Sequence, residues 1–240
     1  MNNHKQNQSG NALIIVLVAV ILFAALSFTV ARSMRSESTN KLSQRELQLA
    51  AGDIIAYAQQ IERAIGRMRR AGISENDISF ENSTIAGYAN ANCTNSQCKI
   101  FDPDGGNISF HDADYFAPSL TNSFRFQANN RFATFGCETI NDASCSDLVI
   151  ELVLNDNPAL CLAVNDLIGI QNPSDDAPRL KEWLSGGIFT GTFGTPTADL
   201  VGGSNATNEA PQVNGKAGGC VFEFNGGQNT YHFYYILLAR

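Results

Sequence analysis

The sequence predicts an α+β protein: a long N-terminal helix packed on an antiparallel β-sheet head with disulfide-tied loops. Three observations predict it. An uncharged, mostly apolar run at residues 12–31 leads into a segment rich in Ala, Leu, Gln, Glu and Arg, all good helix formers, and proline is absent until Pro103. Inside that segment Ala51, Ile54, Ala58, Ile61, Ile65 and Met68 recur at alternating spacings of three and four, which makes one apolar stripe on a helix. Past residue 72, short runs with strand-like patterning alternate with polar turns, and all six cysteines lie there.

At 240 residues the chain has room for one sizeable domain plus the helix. The net charge is −7, and after Arg70 the cations are Lys99, Arg125, Arg131, Arg179, Lys181, Lys216 and Arg240, scattered among many carboxylates. Phosphate binding needs clustered Lys and Arg, so no nucleic-acid partner is expected.

Residues 1–10 form a short polar leader ending in Gly10. Residues 11–34 read as a transmembrane anchor helix, since about 1.5 Å per residue over the apolar run matches roughly 30 Å of hydrocarbon. A secretory signal would have a shorter apolar core followed by a small-residue cleavage site, whereas this run continues past Ala24, Ala25 and Ser27 through Phe28 and Val30. Residues 35–72 read as a stalk helix, and the stripe favours packing on the chain's own sheet over coiled-coil pairing. Arg67, Arg69 and Arg70 complement the helix dipole in the last turn, and Gly72 suits a left-handed cap. Gly52 and Gly66 weaken the interior and are candidate bends.

Residues 73–240 form the globular head. Its first part, to about residue 95, is rich in Asn and Ser and reads as turns. Strands are expected at 98–101, 123–127, 131–135 and 148–154, with Phe124 and Phe126 alternating around Arg125. Asn157 and Pro158 pair a capping residue with proline at the first helical position, so a helix is expected over 158–168. A second helix is expected over 176–184, ended by Gly186 and Gly187. The chain closes in a hairpin of strands 220–224 and 230–238 about Asn225, Gly226 and Gly227. Its last strand is apolar on both faces and belongs at the sheet centre or beneath the helix.

The six cysteines are Cys93, Cys98, Cys137, Cys145, Cys161 and Cys220. An even number outside the anchor suggests disulfides in an oxidising compartment. Loop closure favours local bridges, which pairs Cys93 with Cys98, Cys137 with Cys145 and Cys161 with Cys220. Zinc is a poor fit because paired CxxC spacing is missing. His4 and Lys5 precede the anchor and Arg32 and Arg35 follow it, so charge alone would leave the head in the cytoplasm. A disulfide-tied head requires the opposite orientation, facing outward.

No constellation for catalysis stands out, and no enzymatic activity is expected. His111 reads as a loop residue and His232 as a sheet residue, neither with a visible catalytic partner. Gly187, Gly191 and Gly194 lack the helix and lysine of a phosphate loop and read as a glycine-rich strand and turn. Trp183, Tyr231, Tyr234 and Tyr235 are compatible with a sugar platform, with core packing the default. Asp102, Asp104 and Asn107 gather oxygen ligands of the kind calcium takes, with Asp112 and Asp114 nearby. Counted from Asp102, however, the glycine position of an EF-hand falls on Asn107 and its closing carboxylate on Ala113, and a tight turn uses the same residues. No other cofactor is suggested.

A glycine directly before an uncharged membrane helix that continues as a stalk resembles the N-terminus of type IV pilins and pseudopilins. The resemblance covers residues 10–72. It implies cleavage after Gly10 by a prepilin peptidase on the cytoplasmic side, with Asn11 as the new, usually methylated, N-terminal residue. It also implies a single-pass precursor in the bacterial inner membrane with its head in the periplasm or on a surface filament. The partners would be other pilin or pseudopilin subunits, met through the N-terminal helix. In major pilins the first mature residue is usually Phe or Met and the fifth a glutamate; here they are Asn11 and Ile15. That departure resembles minor, tip-forming subunits, and calcium in tip pseudopilins keeps the loop at Asp102 a candidate. The alternative is a membrane-anchored periplasmic binding protein that joins no fibre.

Overall fold

The computed structural model describes residues 9–132, 135, 137, 139, 141–155, 157–180, 187–196, 199–201, 210–225 and 228–240. In the first helix the side chains described are those of residues 15–23 and of residue 43 onward. The chain divides into two compact units, Met1–Glu46 and Leu47–Arg240. The first unit is helical throughout its described length. The division lies inside helix α1 (Ser9–Arg70), because from Leu47 onward the helix belongs to the core of the second unit.

The expected stripe explains that membership. Ala51, Ile54, Ala58, Ile61, Ile65 and Met68 are all buried and share one cluster with Phe126, Leu148, Ile150, Leu152, Leu154 and Phe233 of the sheet. Three polar contacts reinforce the packing. The Tyr57 hydroxyl accepts from the His111 amide at 3.1 Å, Arg67 Nη2 donates to the Gly106 carbonyl at 3.0 Å, and the Tyr235 hydroxyl donates to Glu62 Oε2 at 2.9 Å. Burial, helped by the Glu62 carboxylate, pushes the Tyr235 phenol up to about 12. The helix passes through Gly52 and Gly66 without interruption and stops as its sequence indicates. Gly72 takes φ +94° and the Ile73 amide returns to the Met68 carbonyl at 3.1 Å, satisfying an end carbonyl.

The remaining elements are β1 (Arg125–Phe132), β2 (Asp147–Asn155), α2 (Pro158–Ile168), β3 (Arg179–Leu180), β4 (Asp199–Val201), β5 (Gly218–Asn225) and β6 (Gln228–Leu238). They form one sheet in the order β3-β5-β6-β2-β1-β4. The central four strands pair antiparallel, whereas β3 lies parallel to β5 and β4 parallel to β1. The expected antiparallel sheet is therefore corrected to a mixed one. Only hairpin-linked neighbours are obliged to run antiparallel, and both edge strands arrive through long connections.

Helix α2 keeps its expected bounds. Asn157 accepts from the Leu160 amide, Pro158 opens the first turn and Gly169 closes it at φ +74°. The hairpin also stands, with Asn225 opposite Gln228 and β6 between β5 and β2. Three expectations are corrected. Residues 123–127 and 131–135 do not make separate strands: β1 is continuous, and a register shift between Gln127 and Asn130 absorbs the polar stretch. Residues 98–101 begin inside a 3-10 turn (Ser96–Cys98) and contribute one isolated bridge, Lys99 to Ser79. The expected helix at 176–184 is replaced at Arg179–Leu180 by β3, whose pairing with Phe222 and Glu223 outweighs weak local helix propensity. Residues 181–186, with Trp183, lie outside the described residues, as do Gly226 and Gly227.

Candidate functional site

Two features of the chain have functional potential: the apolar start of α1 and a buried polar cluster in the sheet. At 100° per residue, residues 15–23 present every side of the helix. Ile15, Val16, Leu17, Val18, Val20, Ile21, Leu22 and Phe23 are 47 to 75% exposed. A helix that is apolar all round and uncovered calls for an apolar environment on all sides. Among the described residues no helix is long and apolar enough to cross a membrane. The described side chains of the run stop well short of the roughly twenty a span needs. Gly10 and Asn11 lie in the first turns of α1, and residues 1–8 of the leader lie outside the described residues.

The polar cluster was not anticipated. Because side chains alternate across a sheet, Leu148, Ile150, Leu152 and Leu154 of β2 face α1 while Val149 and Glu151 face the other way. Glu151 is fully buried there. Gln127 Nε2 on β1 donates to its Oε2, His232 Nδ1 on β6 lies 2.8 Å from its Oε1, and Arg125 Nη1 is 3.9 Å from Oε2. His232 Nε2 lies 3.6 Å from Glu223 Oε1 on β5, and Asn130 Nδ2 donates to Gln127 Oε1 at 3.4 Å. Register brings these groups together: Arg125 is directly opposite Glu151, and His232 sits diagonally from it, two places from its partner Tyr234. Four strands contribute, so no short motif encodes the cluster. The detectable signal was polar residues placed mid-strand in otherwise apolar runs.

Chemically the cluster supplies a buried carboxyl group with polar partners. Glu151 and His232 are 0 and 5% exposed, so their polar atoms depend on neighbouring protein groups rather than on water, and the pair presents almost nothing to solvent. His232 keeps its reading as a sheet residue, with carboxylate partners that its flanking sequence does not show.

The other candidates separate. The disulfides are Cys93–Cys98, Cys137–Cys145 and Cys161–Cys220, as loop closure suggested. Tyr231 and Tyr234 are buried, and Tyr235 is tied to Glu62, so these rings form no exposed sugar platform. Gly191 adopts φ +91° where a Cβ would lie 2.3 Å from Asn90 Oδ1, and Gly194 donates to the Ala128 carbonyl, a turn beside β1.

The loop at Asp102 is accounted for as a turn. Asp102 Oδ1 accepts from the Asp104 amide, the Asp102 carbonyl accepts from Gly105 and Asn107, and Asp104 Oδ2 accepts from Ser96 Oγ. Gly105 and Gly106 are required because a Cβ on either would lie within 2.5 Å of the Lys99 or Ile100 carbonyl oxygen. Among the described residues no group of three or more His, Cys, Asp or Glu is placed to hold a metal ion.

No protein-family model, curated protein or solved structure matches this chain.

Proposed function

We propose that this chain is a minor pilin-like or pseudopilin-like structural subunit, anchored by its N-terminal helix and assembled through that helix with other subunits. One observation carries the reading. Helix α1 is apolar and exposed on every side over residues 15–23, then apolar along a single buried stripe from Ala51 to Met68. The first pattern suits a bilayer or a bundle of like helices, and the second builds a head. Three disulfides in the head support export to an oxidising compartment.

The role is structural rather than enzymatic. Gly10 would be cut by a prepilin peptidase and Asn11 would become the methylated N-terminus. Ile15 offers no carboxylate to the amine of a subunit above it, and burying that amine unpaired would cost several kcal/mol. A subunit at the fibre tip escapes this cost, which favours a tip location.

Mass spectrometry of the protein recovered from membranes tests the reading. A mature chain beginning at Asn11 is expected. A start near Ser27 would mean an ordinary signal peptide, and an uncut Gly10 would leave a single-pass membrane protein outside any fibre.

A further inference from the structure

Arg63, Arg67, Arg69 and Arg70 fall within eight residues of a chain whose net charge is −7. Arg63, Arg67 and Arg70 follow one another at spacings of four and three, which puts three like charges on one face of α1, an arrangement that costs a helix stability. Complementing the helix dipole accounts for cations in the last turn, but not for what stands beside them. Four places before Arg70, where a glutamate would pair with it, the chain has Gly66. Helix α1 continues through Gly66, so this glycine weakens the helix without ending it. A Cβ there would stand 3.5 Å from Arg70 Nη1. The guanidinium therefore lies back over the bare backbone of residue 66.

Gly66, Arg69 and Arg70 form one wall of a pocket of about 600 Å³, and the segment from Gly72 to Asn76 forms the other. Glu75 supplies the carboxylate among these lining residues, and it is already held on both sides. Its Oε1 lies 2.6 Å from Arg69 Nη2 and its Oε2 lies 3.0 Å from Arg240 Nε. Two guanidiniums thus share one negative charge. Among the described residues none gives the Arg70 side chain a hydrogen bond or an ion pair. The pocket therefore carries a positive surplus on a chain that is acidic as a whole.

We infer that this pocket binds a carboxylate carried by an acidic segment of a protein partner, with Arg70 as its principal donor and Arg69 beside it. A planar guanidinium matches a carboxylate through two parallel N–H···O bonds. The pocket opens at the negative end of the α1 dipole, which opposes a doubly charged phosphate more than a singly charged carboxylate. One carboxylate fills only a small part of the 600 Å³, so the residues flanking it on a peptide also fit, against the exposed Ser74 and Asn76. The site belongs to the head alone and stands whether or not the chain joins a fibre.

Proton–nitrogen NMR of the full chain in micelles of a neutral detergent, titrated with hexaglutamate, tests this through the arginine Nε–Hε signals. Those of Arg69 and Arg70 should shift and saturate at millimolar peptide, and hexaglutamine should move neither. Arg70→Gln should weaken binding about tenfold. Gly66→Leu should do the same, because it fills the pocket floor while keeping every charge. Arg179→Gln, an equal change of charge at another exposed position, should leave the affinity within about twofold. The absence of a saturable shift, equal losses in Arg70→Gln and Arg179→Gln, or full binding in Gly66→Leu overturns the site. Should Gly66→Leu not fold, Arg70→Gln against Arg179→Gln decides, since Arg70 is exposed. Displacement of the peptide by inorganic phosphate or a short oligonucleotide at lower concentration would overturn the carboxylate assignment.

Discussion

The two faces of the sheet are built from alternate residues of the same strands, yet they solve burial differently. The face toward α1 and α2 is filled by apolar side chains such as Phe126, Leu148, Ile150, Leu152 and Phe233. The opposite face has a smaller apolar cluster around Phe132, Val149, Val221, Tyr234 and Ile236, and beside it the buried Gln127, Glu151 and His232. Apolar packing tolerates approximate fit and draws its strength from area. A buried polar group depends instead on named partners at hydrogen-bond distance. The first face should therefore govern whether the head folds, and the second which register its strands adopt.

The largest effect is expected from breaking the first face. Ile61→Asp would place an unpaired carboxylate in the core beneath α1, where Ile61 is fully buried, and should cost more than about 5 kcal/mol, enough to unfold the head. Protease resistance of the head reads this out. A variant as resistant as wild type would show that α1 is not the keystone of that face.

Next in size is the bridge that ties α2 to β5 within the same face. Replacing Cys161 and Cys220 by Ala removes a closure over 59 residues, worth about 4 kcal/mol in the chain-entropy model. The same change at Cys93 and Cys98, only five residues apart, should cost about 2 to 3 kcal/mol. Thermal midpoints compared side by side would expose the reverse order, which would mean that strain or residual unfolded structure dominates.

The second face can be probed by breaking its network and then replacing it. Glu151→Ala should cost about 3 kcal/mol because Gln127 and His232 lose their shared acceptor inside the sheet. Replacing Gln127, Glu151 and His232 together by apolar residues of similar volume should recover most of that loss, since Arg125 and Glu223 retain solvent contact. Denaturant unfolding of the single and triple variants measures the difference. A triple variant less stable than the single would assign the network net stabilisation instead of specificity.

The smallest effect belongs to a local feature outside either face. Asn157→Ala removes the bond to the Leu160 amide and should lower stability by about 1 kcal/mol. A loss above about 3 kcal/mol would mean that the start of α2 supports the sheet as well as its own first turn.

The residues of α1 show why one face was legible in advance. Spacings of three and four place Ala51 to Met68 on one stripe whatever the stripe meets, so burial could be expected before its partner was known. The cap of α2 and the closing hairpin were legible for a related reason, since Asn157, Pro158 and Gly169, and Asn225 opposite Gln228, act within a few residues of each other. The split of β1 into two strands failed at a polar stretch that reads locally as a break. Asn130 and Arg131 are nonetheless buried, because a register shift and neighbouring strands accommodate them.

By itself the sequence determined the long helix and its stripe, α2 with its caps, the last hairpin and the two local cysteine pairings, which left Cys161 and Cys220 for each other. Each follows from backbone preference, short-range periodicity or the entropy of closing a loop. The tertiary structure alone decided the parallel edge strands, the meeting of Glu151 with His232 across 81 residues and that of Asp147 with Arg240 across 93. Those contacts depend on strand order and register. A period-two pattern tells which side chains share a face, but not which strand lies beside them or whether a polar residue on that face will find a partner.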